Sequence, residues 1–425
     1  MIVYVINLPV IQRSGEINFG DKQKIYIESI VFPNKVEEDV SIDYGFHKEQ
    51  YGFPLSNSEI LNFMAHRIAW KQFLNTNEPW CIMLENNVSL NAELHEIYNA
   101  IQVLPEDWEL FFPYDPFRIQ EGMIQNNPAK FLVNPNSWEM NDWEPYFLGY
   151  KWGNSIYFIN REGARRLLSI VTIRQRLDDE ILTLAKAEEV SMYAGDINRF
   201  DYKQIEPVVF CDRNKLIWKA ICEGSTWTSF REEKARRLLK VMSDAAEGLK
   251  IDILLEAGTL LGYIRHGGIM PWDDDIDLAI EENKLPIFLE QLKELDGIRY
   301  GQFSEFHTGT PYYKIWYEDD EVIENYQYKF PFVDLWLFNK NGGDLVFKNG
   351  FIYPTSASCD FVEIMFEGAK FKIPHNSIEI LDTRFKDWKK KIRVYSWSHR
   401  FEKHQFIPLS LDIEVNADGR LVSLF

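Results

Sequence analysis

The sequence predicts an α/β protein of two domains, and three observations support that prediction. Short apolar segments typical of strands alternate with amphipathic helical segments in both halves of the chain. This pattern restarts near residue 210, where a new long amphipathic helix is predicted. The length of 425 residues is that of two or three average domains. We therefore expect domains at residues 1–215 and 216–425.

The composition is that of a globular protein with a large excess of acid. Hydrophobic residues make up 46% and charged residues 26% of the chain, which excludes a disordered protein. The 65 acidic residues outnumber the 46 Lys and Arg, for a formal net charge of −19. A chain this acidic has no general footprint for nucleic acid, so we expect no nucleic-acid partner. Phosphate groups would have to be bound through a metal ion or a few local cations.

The cysteines and the hydrophobic segments indicate the compartment. Cys81, Cys211, Cys222 and Cys359 are far apart and form no CxxC pair, which argues against a disulfide scaffold and a structural zinc site. No apolar run approaches the roughly 18–20 residues that span a bilayer. Residues 1–6 read as a buried strand and lack the basic start of a signal peptide. We therefore expect a cytoplasmic protein without a transmembrane segment.

The first half of the chain contains predicted strands and helices in alternation. The strands are predicted at residues 3–8, 80–84, 108–112 and 155–159. A capping box, Ser56-x-x-Glu59, begins a helix that continues to about Leu74, and a second helix is predicted at residues 161–168. Such alternation is typical of a mostly parallel sheet with helices packed against it.

The second half begins with another helix and strand. Ser229-x-x-Glu232 is a second capping box, and the apolar residues that follow trace one helix face as far as Leu249. A strand is predicted at residues 251–255. The residues after this strand contain most of the candidate functional groups.

Four carboxylates lie within five positions, at Asp273, Asp274, Asp275 and Asp277. In an extended strand Asp273, Asp275 and Asp277 would line one face, where they would repel one another and raise one another's pKa. A divalent cation such as Mg²⁺ or Mn²⁺ would relieve that repulsion. The alternatives are an acidic surface turn or a calcium loop, but the EF-hand spacing is absent.

Other candidate site residues flank this cluster. Gly258 and Thr259 follow the apolar strand and could approach a phosphate, although such a pair is more often a turn. Arg265 and His266 could bind a phosphate or form a plain surface pair. Asp334 lies within an apolar strand, where a lone carboxylate is costly unless it is paired or coordinated. Lys314 is a candidate for neutralising charge, with an ordinary surface lysine as the alternative.

Residues 258–280, GTLLGYIRHGGIMPWDDDIDLAI, closely resemble the signature of the LicD family, which includes fukutin and fukutin-related protein. The resemblance continues through residues 332–338 (FVDLWLF) and 380–388, and covers about residues 230–390. It implies an α+β domain of the nucleotidyltransferase fold in the C-terminal half.

The resemblance also implies an activity, a metal and partners. Family members transfer a phosphorylated alcohol, such as phosphocholine or ribitol phosphate, from a CDP-linked donor to a glycan hydroxyl and release CMP. The implied ligands of Mg²⁺ or Mn²⁺ are Asp275, Asp277 and Asp334, with Asp273 as an auxiliary ligand. Asp334 is also a candidate to accept the proton of the attacking hydroxyl. The implied partners are a CDP-alcohol donor and a glycan or lipid-linked glycan acceptor.

The first half resembles glycosyltransferase family 25, which implies a GT-A-like (Rossmann-like) domain over about residues 2–210. The matching residues are Val5-Ile6-Asn7-Leu8-Pro9, the Ala65-His66 and Trp70 positions, residues 84–88, 105–112 and 157–168, and Leu177–Glu180.

This half differs from the glycosyltransferase family 25 pattern at two adjacent positions. Asn86 and Asn87 stand where the family has two aspartates that hold Mn²⁺ and the diphosphate of a UDP-sugar. Asn is a poorer ligand for a hard cation, so we expect metal-dependent sugar transfer to be lost. The domain could instead bind the acceptor or act as a structural partner, and Trp138, Trp143, Tyr146 and Trp152 are candidates to stack on sugars. The alternative function is a UDP-sugar transferase that depends on Glu85 or Asp179.

A basic patch near the C-terminus raises the question of membrane contact. It comprises Arg384, Lys386, Lys389, Lys390, Lys391 and Arg393. Such a patch could touch anionic lipid on the inner face of the membrane or a diphosphate-linked carrier, but most such runs are solvated faces.

Overall fold

A computed structural model describes most of the chain. The described residues are 1–9, 15–19, 25–113, 129–130, 155–194, 201–204, 211–305, 308–354, 360–394, 397–401, 403–404 and 409–423. They form a mixed α/β structure, which confirms the predicted class. The chain divides into two compact units, Met1–Leu216 and Ile217–Phe425. The candidate sugar-stacking residues Trp138, Trp143, Tyr146 and Trp152, and also Cys359, lie outside the described ranges.

The N-terminal unit consists of short strands and five helices among its described residues. The strands are β1 (Ile2–Asn7), β2 (Ile17–Phe19), β3 (Tyr26–Val31), β4 (Ser41–Ile42), β5 (Trp80–Glu85), β6 (Val88–Ala92), β7 (Leu110–Phe112), β8 (Ala129–Lys130), β9 (Ile156–Asn160), β10 (Thr172–Ile173), β11 (Met192–Ala194) and β12 (Asp201–Gln204). The helices are α1 (Tyr44–Tyr51), α2 (Asn57–Leu74), α3 (Leu94–Gln102), α4 (Arg161–Leu168) and α5 (Leu177–Lys186).

A seven-stranded sheet in the order β3-β1-β5-β9-β7-β11-β8 forms the centre of this unit. The expectation of a mostly parallel sheet is wrong, because β9 runs antiparallel to both β5 and β7, and β8 runs antiparallel to β11. Alternation of strands and helices indicates a parallel direction only where each helix crosses back over the sheet, and it does not reveal an inserted antiparallel strand. The unit also has a small sheet in the order β12-β6-β2, and its central strand β6 begins directly after the turn that contains Asn86 and Asn87.

Helix α2 confirms the first predicted capping box. The Ser56 hydroxyl accepts a hydrogen bond from the Glu59 N–H at 3.2 Å, and the Glu59 carboxylate accepts one from the Ser56 N–H at 3.1 Å. The apolar face of the helix, including Phe63, Met64 and Trp70, is fully buried in the core on one side of the sheet.

The C-terminal unit is dominated by strands. Helix α6 (Cys211–Glu223) contains the division between the units and is followed by α7 (Ser229–Leu249), α8 (Ala257–His266), a short 3₁₀ helix (Glu282–Lys284), α9 (Leu285–Lys293) and α10 (Ser377–Arg384). The strands are β13 (Ile253–Leu255), β14 (Asp277–Glu281), β15 (Ile298–Ser304), β16 (Pro311–Val322), β17 (Lys329–Asn341), β18 (Asp344–Phe347), β19 (Ile352–Pro354), β20 (Phe361–Phe366), β21 (Ala369–Pro374), β22 (Lys391–Val394), β23 (Trp397–Ser398), β24 (Lys403–His404), β25 (Leu409–Asp412), β26 (Glu414–Val415) and β27 (Leu421–Ser423).

The main sheet of this unit has the order β15-β16-β17-β14-β13-β21-β20, and β18 and β19 extend it from β17. Strand β14 is parallel to β17 and antiparallel to β13. The second predicted capping box is one residue too late, because Thr228 caps α7 by accepting the Arg231 N–H at 3.3 Å. Among the described residues of the whole chain, no helix combines the length and apolarity that crossing a membrane requires.

Candidate metal-binding active site

Two neighbouring strands bring the central carboxylates together. Asp277 is the first residue of β14 and pairs in parallel register with Asp334 on β17, so both side chains project from the same face of the sheet. One ligand atom from each of Asp275, Asp277 and Asp334 lies within 4.8 Å of the others. The predicted strand is wrong for Asp273 and Asp275, which lie in the loop before β14. This loop curves Asp275 back toward the other two carboxylates.

Hydrogen bonds from three directions hold this group of carboxylates. The Asp277 N–H donates to the Thr259 hydroxyl at 2.7 Å, and the Trp336 indole N–H donates to Asp277 Oδ1 at 2.8 Å. The Asp334 N–H donates to the carbonyl of Ile276 at 2.8 Å. The backbone and side chain of Asp277 are therefore both fixed, and Thr259 reaches the carboxylates as a bonding partner of Asp277.

Lys314 neutralises one of the three carboxylates. It lies opposite Asp334 on the neighbouring strand β16, and its ammonium group is 3.0 Å from each carboxylate oxygen. The side chain is 1% exposed, and its Nζ lies 3.9 Å from the centre of the Phe332 ring. Lys314 is thus brought into the site, where an ion pair and a cation–π contact stabilise its buried charge.

The site holds several carboxylates close together and away from water, which disfavours their charged forms. Burial raises the pKa of Asp334 to about 6, although Lys314 opposes that shift. Burial, and then the charge of Asp277, raise the pKa of Asp273 to about 7. The pKa of Asp275 is also raised well above its usual value by burial and by Asp277 and Asp273. An all-oxygen donor set with too little positive charge fits a hard divalent cation, so the three carboxylates could hold a metal ion.

Gly258 is required by the close approach of Asp273. A Cβ atom on Gly258 would lie 2.5 Å from Asp273 Oδ2, inside any normal contact distance. The Asp273 side chain is also hydrogen-bonded to that of Asp275. Asp273 therefore lies between the start of α8 and Asp275, beside the three-carboxylate group. This close approach accounts for a glycine at position 258 and does not depend on a bound phosphate.

Arg265 and His266 make contacts that stabilise the fold. The Arg265 guanidinium donates to the carbonyls of Trp388 and Lys391 at 3.0 and 3.2 Å and to His266 Nε2 at 2.8 Å. Burial, with help from Arg265, lowers the pKa of His266 to about 3, which keeps it a neutral acceptor. The predicted phosphate-binding role of this pair receives no support from these contacts.

Glu256 anchors the late segment of the LicD resemblance beside the site. The Tyr353 hydroxyl donates to Glu256 Oε1 at 2.8 Å, and Arg384 donates to the same oxygen. Burial raises the pKa of Glu256 to about 7 even though Arg384 opposes the shift. The Glu256 N–H donates to the Asp277 carbonyl at 3.0 Å, so this buried cluster is tied directly to the carboxylate strand.

Sequence reasoning missed the segment that carries His399. Asp274 accepts hydrogen bonds from the Ser398 hydroxyl and from the N–H groups of His399 and Arg400. His399 Nδ1 lies 3.6 Å from Asp275 Oδ2. No motif marks these residues, and 124 positions separate Ser398 from Asp274, so a single sequence offered no signal for the contact.

The basic patch is largely paired with acidic side chains. Lys389 donates to Asp382 at 2.7 Å, and Arg393 donates to Asp387 at 3.4 Å. Lys391 lies 3.8 Å from Asp412, and Arg384 is used by Glu256. These pairs favour a solvated face over a lipid-binding patch.

In the N-terminal unit, Glu85 and the two asparagines are turned into the fold. Glu85 accepts the Ser155 hydroxyl at 2.9 Å, and His66 Nε2 lies 3.8 Å from its other oxygen. Asn86 Oδ1 accepts the Leu8 N–H at 3.1 Å, and Asn87 is fully buried.

A buried chain of hydrogen bonds explains the pattern that resembles family 25. The Tyr157 hydroxyl lies 2.9 Å from both His66 Nδ1 and the Trp70 indole nitrogen, and His66 Nε2 lies 3.8 Å from Glu85 Oε1, which is an electrostatic contact and not a hydrogen bond. The Ala65-His66 and Trp70 positions therefore support the strand end that carries Glu85.

A second acidic cluster surrounds Asp179, the other residue named for sugar transfer. Asp178 and Asp179 are buried at the start of α5, and Arg176 is 2.6 Å from Asp178. Burial, and then the charge of Asp178, raise the pKa of Asp179 to about 8. The charge of Glu85 also acts on the neighbouring Asp178, so the two acidic groups of this unit lie within electrostatic range of each other.

Comparison with known proteins identifies both halves of the chain. Residues 250–376 match the family model described as LicD/FKTN/FKRP, nucleotidyltransferase domain. Residues 22–181 match the model described as glycosyltransferase family 25 (LPS biosynthesis protein). The chain carries a LicD segment and a family 25 segment. Both resemblances seen in the sequence are thereby confirmed, and the LicD segment contains Asp275, Asp277, Lys314 and Asp334.

Curated relatives match one segment or the other. The chain is 28% identical over 168 residues to ribitol 5-phosphate transferase FKRP of Homo sapiens, covering 36% of this chain and 30% of FKRP. It is 46% identical over 44 residues to lipopolysaccharide cholinephosphotransferase LicD of Haemophilus influenzae, covering 10% of this chain and 17% of that protein. Lacto-N-neotetraose biosynthesis glycosyltransferase LgtE of Neisseria meningitidis is 28% identical over 206 residues, 46% of this chain and 69% of LgtE. Across four curated relatives, FKRP among them, the match spans 23 to 59% of their length.

Proposed function

We propose that this protein transfers a phosphorylated alcohol, similar to phosphocholine or ribitol phosphate, from a CDP-activated donor to a hydroxyl of a cell-surface glycan, releasing CMP. The observation that carries the proposal is the group of Asp275, Asp277 and Asp334, whose ligand atoms lie within 4.8 Å of one another inside the LicD segment. The similarity to FKRP, a ribitol 5-phosphate transferase, and to LicD, a cholinephosphotransferase, supports the reaction class.

In the proposed mechanism the three carboxylates hold Mg²⁺ or Mn²⁺. When bound, such an ion neutralises the donor diphosphate and makes its phosphorus more electrophilic. Trp336 and Thr259 orient Asp277, and Lys314 orients Asp334. The acceptor oxygen bonds to the phosphorus, the bond from phosphorus to the CMP oxygen breaks, and the hydroxyl proton passes to a base. Asp334 remains the candidate base, although both its oxygens accept hydrogen bonds from Lys314.

The proposal assigns the two halves different tasks. The C-terminal domain, residues 216–425, is an α+β nucleotidyltransferase-like domain that contains the active site. The N-terminal domain, residues 1–215, is GT-A-like and binds the acceptor glycan or acts as a structural partner. The division of the structure after Leu216 and the inward hydrogen bonds of Glu85 and Asn86 support this assignment.

Thermal unfolding with nucleotides tests the proposal. CDP, CMP, UDP and UMP are each added with and without Mn²⁺. A ligand at 100 times its dissociation constant stabilises the folded state by about 2.7 kcal/mol, which moves a midpoint by several degrees. We expect a shift with CDP that requires Mn²⁺ and is lost in Asp277→Asn. Asp319→Asn, at a largely exposed position of the same unit, is the matched control. A Mn²⁺-dependent CDP shift that survives in Asp277→Asn would contradict the site.

The similarity to LgtE favours a second candidate, a UDP-sugar-dependent glycosyltransferase acting through the N-terminal domain. That function requires a shift with UDP and sugar transfer from a panel of UDP-sugars, both lost in Glu85→Gln or Asp179→Asn. No transfer across the panel would exclude it.

A further inference from the structure

Within the acidic cluster, Asp274 is hydrogen-bonded to residues from a distant part of the chain. Its carboxylate accepts hydrogen bonds from the Ser398 hydroxyl at 2.5 Å, the His399 N–H at 2.9 Å and the Arg400 N–H at 3.2 Å. Three donors on one carboxylate form a strong, charge-assisted attachment. Asp274 therefore fixes residues 398–400, which we call the strap, to the loop that carries Asp273 and Asp275.

Further contacts hold the strap from its other side. The Tyr328 hydroxyl donates to the Arg400 carbonyl at 3.4 Å, and the Tyr326 hydroxyl donates at 2.9 Å to the carbonyl of Phe401, the residue that follows the strap. The Arg400 guanidinium binds Glu321 and lies 4.6 Å from the centre of the Phe330 ring. The strap is thus held between the carboxylate loop and β16–β17, and its backbone has a defined position.

The side chain that the strap presents to the site is His399. Its Nδ1 lies 3.6 Å from Asp275 Oδ2, and its side chain is 46% exposed. The imidazole therefore has one edge toward the carboxylates and another toward the outside. If Asp275, Asp277 and Asp334 held a cation, a diphosphate bound to it would lie close to Asp275, and His399 is the neighbouring side chain that could reach it. The ring can donate an N–H to a phosphate oxygen.

We propose that His399 binds the diphosphate of the donor and that Asp274 is a positioning residue which holds His399 in place through the strap. This inference rests on the proposed function, because it assumes a diphosphate at the carboxylate site. It assigns Asp274 a task different from that of its three neighbours, although all four belong to one acidic run. It also places an essential contact beyond residue 376, outside the matched LicD segment.

The test compares four variants of the full chain: His399→Ala, His399→Gln, Asp274→Asn and the double variant Asp274→Asn/His399→Ala. His95→Gln is the control for histidine, because the His95 side chain is 68% exposed in the N-terminal unit. Asp319→Asn is the control for aspartate. Calorimetry measures the affinity for Mn²⁺ alone, for inorganic pyrophosphate with Mn²⁺, and for CDP with Mn²⁺.

We expect His399→Ala to bind Mn²⁺ within about twofold of wild type and to bind pyrophosphate roughly 10- to 100-fold more weakly, as for loss of a hydrogen bond to a charged group. His399→Gln, which keeps an N–H donor, should recover part of that loss. Asp274→Asn should weaken pyrophosphate binding as well. Because it acts through His399, it should cost little more in the double variant than in His399→Ala.

Unchanged pyrophosphate affinity in His399→Ala would overturn the inference, as would additive losses in the double variant. Wild-type protein that binds no pyrophosphate with Mn²⁺ would overturn it too. Loss of Mn²⁺ affinity in His399→Ala would make His399 a metal ligand and would also overturn it. If pyrophosphate binding depends on His399 while CDP does not bind, the inference stands and the CDP donor of the proposed function is wrong.

Discussion

At the scale of single residues, Lys314 and Asp334 show how the fold tolerates acidic groups in its interior. Asp334 is buried in the middle of a 13-residue strand, and its partner is an ammonium group that is itself buried among aromatic rings. Such a pair gains little over an apolar pair, but removing one member leaves an uncompensated buried charge. A site that needs a buried carboxylate at this position would also need such a counter-charge beside it.

Replacing Lys314 with methionine is expected to lower the free energy of unfolding by about 3–5 kcal/mol, because Asp334 loses its counter-charge. Added Mn²⁺ should recover part of the loss, since a bound cation would replace the missing positive charge. Urea unfolding with and without Mn²⁺ measures both effects. Lys340→Met, at an exposed position of the neighbouring strand β17, is the control and should change stability by less than 1 kcal/mol. A Lys314→Met protein as stable as wild type without metal would refute the account.

The raised pKa of Glu256 should make the unfolding free energy of the metal-free protein depend on pH. Burial raises the pKa of Glu256 in the folded state from 4.5 to about 7, so between these values the folded protein holds a proton that the unfolded chain has released. This contribution is fully present below about pH 4.5 and is lost as the pH rises toward 7. In Glu256→Gln, the fall in unfolding free energy across this window should be smaller by up to about 1.4 kcal/mol per pH unit. Urea titrations from pH 5 to 7 measure the slopes, and parallel slopes would contradict the assignment.

The sequence indicated candidate site residues only where the neighbouring residues already give a chemical reason for their role. Asp275 and Asp277 could be named because clustered carboxylates repel one another unless a cation is bound, and Asp334 because a lone carboxylate within an apolar strand is costly. The contacts of Arg265 could not be predicted, because its partners Trp388 and Lys391 are more than 120 positions away. A basic pair near an acidic run looks the same whether it binds a ligand or the backbone.

At the scale of elements, the start of α8 and the start of β14 form one unit of structure. The Thr259 hydroxyl accepts the Asp277 N–H, and Gly258 leaves room for Asp273. The sequence analysis predicted the strand but not helix α8, and it extended the strand through Asp273 and Asp275. Alternating carboxylates resemble a strand face, and only the register with Asp334 shows that pairing begins at Asp277.

Two helical glycines give a matched comparison. A Cβ at Gly258 would lie 2.5 Å from Asp273 Oδ2, whereas a Cβ at Gly248 in α7 meets nothing within 4 Å. We expect Gly248→Ala to stabilise the protein by about 0.5–1 kcal/mol through helix propensity. Gly258→Ala should gain nothing and should weaken Mn²⁺ binding, because Asp273 must move against Asp275. Thermal unfolding and calorimetry separate these effects, and normal Mn²⁺ affinity in Gly258→Ala would show that Asp273 adjusts freely.

At the scale of the whole molecule, two units of similar length contain acidic groups of different kinds. In the C-terminal unit three carboxylates converge, and their ligand atoms lie within 4.8 Å of one another. In the N-terminal unit Glu85 is bonded to Ser155 and Asn87 is fully buried. The sequence predicted this contrast from the two asparagines, because ligand chemistry is visible in residue types. It could not predict the buried chain from Trp70 to Glu85, which depends on three-dimensional contact.

Restoring the family's acidic residue in the N-terminal unit should therefore not restore a metal site. Asn87→Asp places a charge at a fully buried position, so we expect a loss of several kcal/mol in unfolding free energy. UDP with Mn²⁺ should not raise the unfolding midpoint of this variant. Asn75→Asp, at the end of α2, is a control for the same chemical change. A Mn²⁺-dependent UDP shift in Asn87→Asp would show that the turn can still open toward a ligand.

The attachment of the strap to Asp274 has a consequence for the order in which the chain is synthesised. The ribosome must add 124 residues after Asp274 before Ser398 exists, so every carboxylate of the site is synthesised before His399. An expression fragment that ends at residue 376, where the matched LicD segment ends, would retain every carboxylate and lack the histidine. Such a fragment would also lack Arg384, Trp388 and Lys391, which are bonded to Glu256 and Arg265, and it would be a poor guide to the donor affinity of the whole chain.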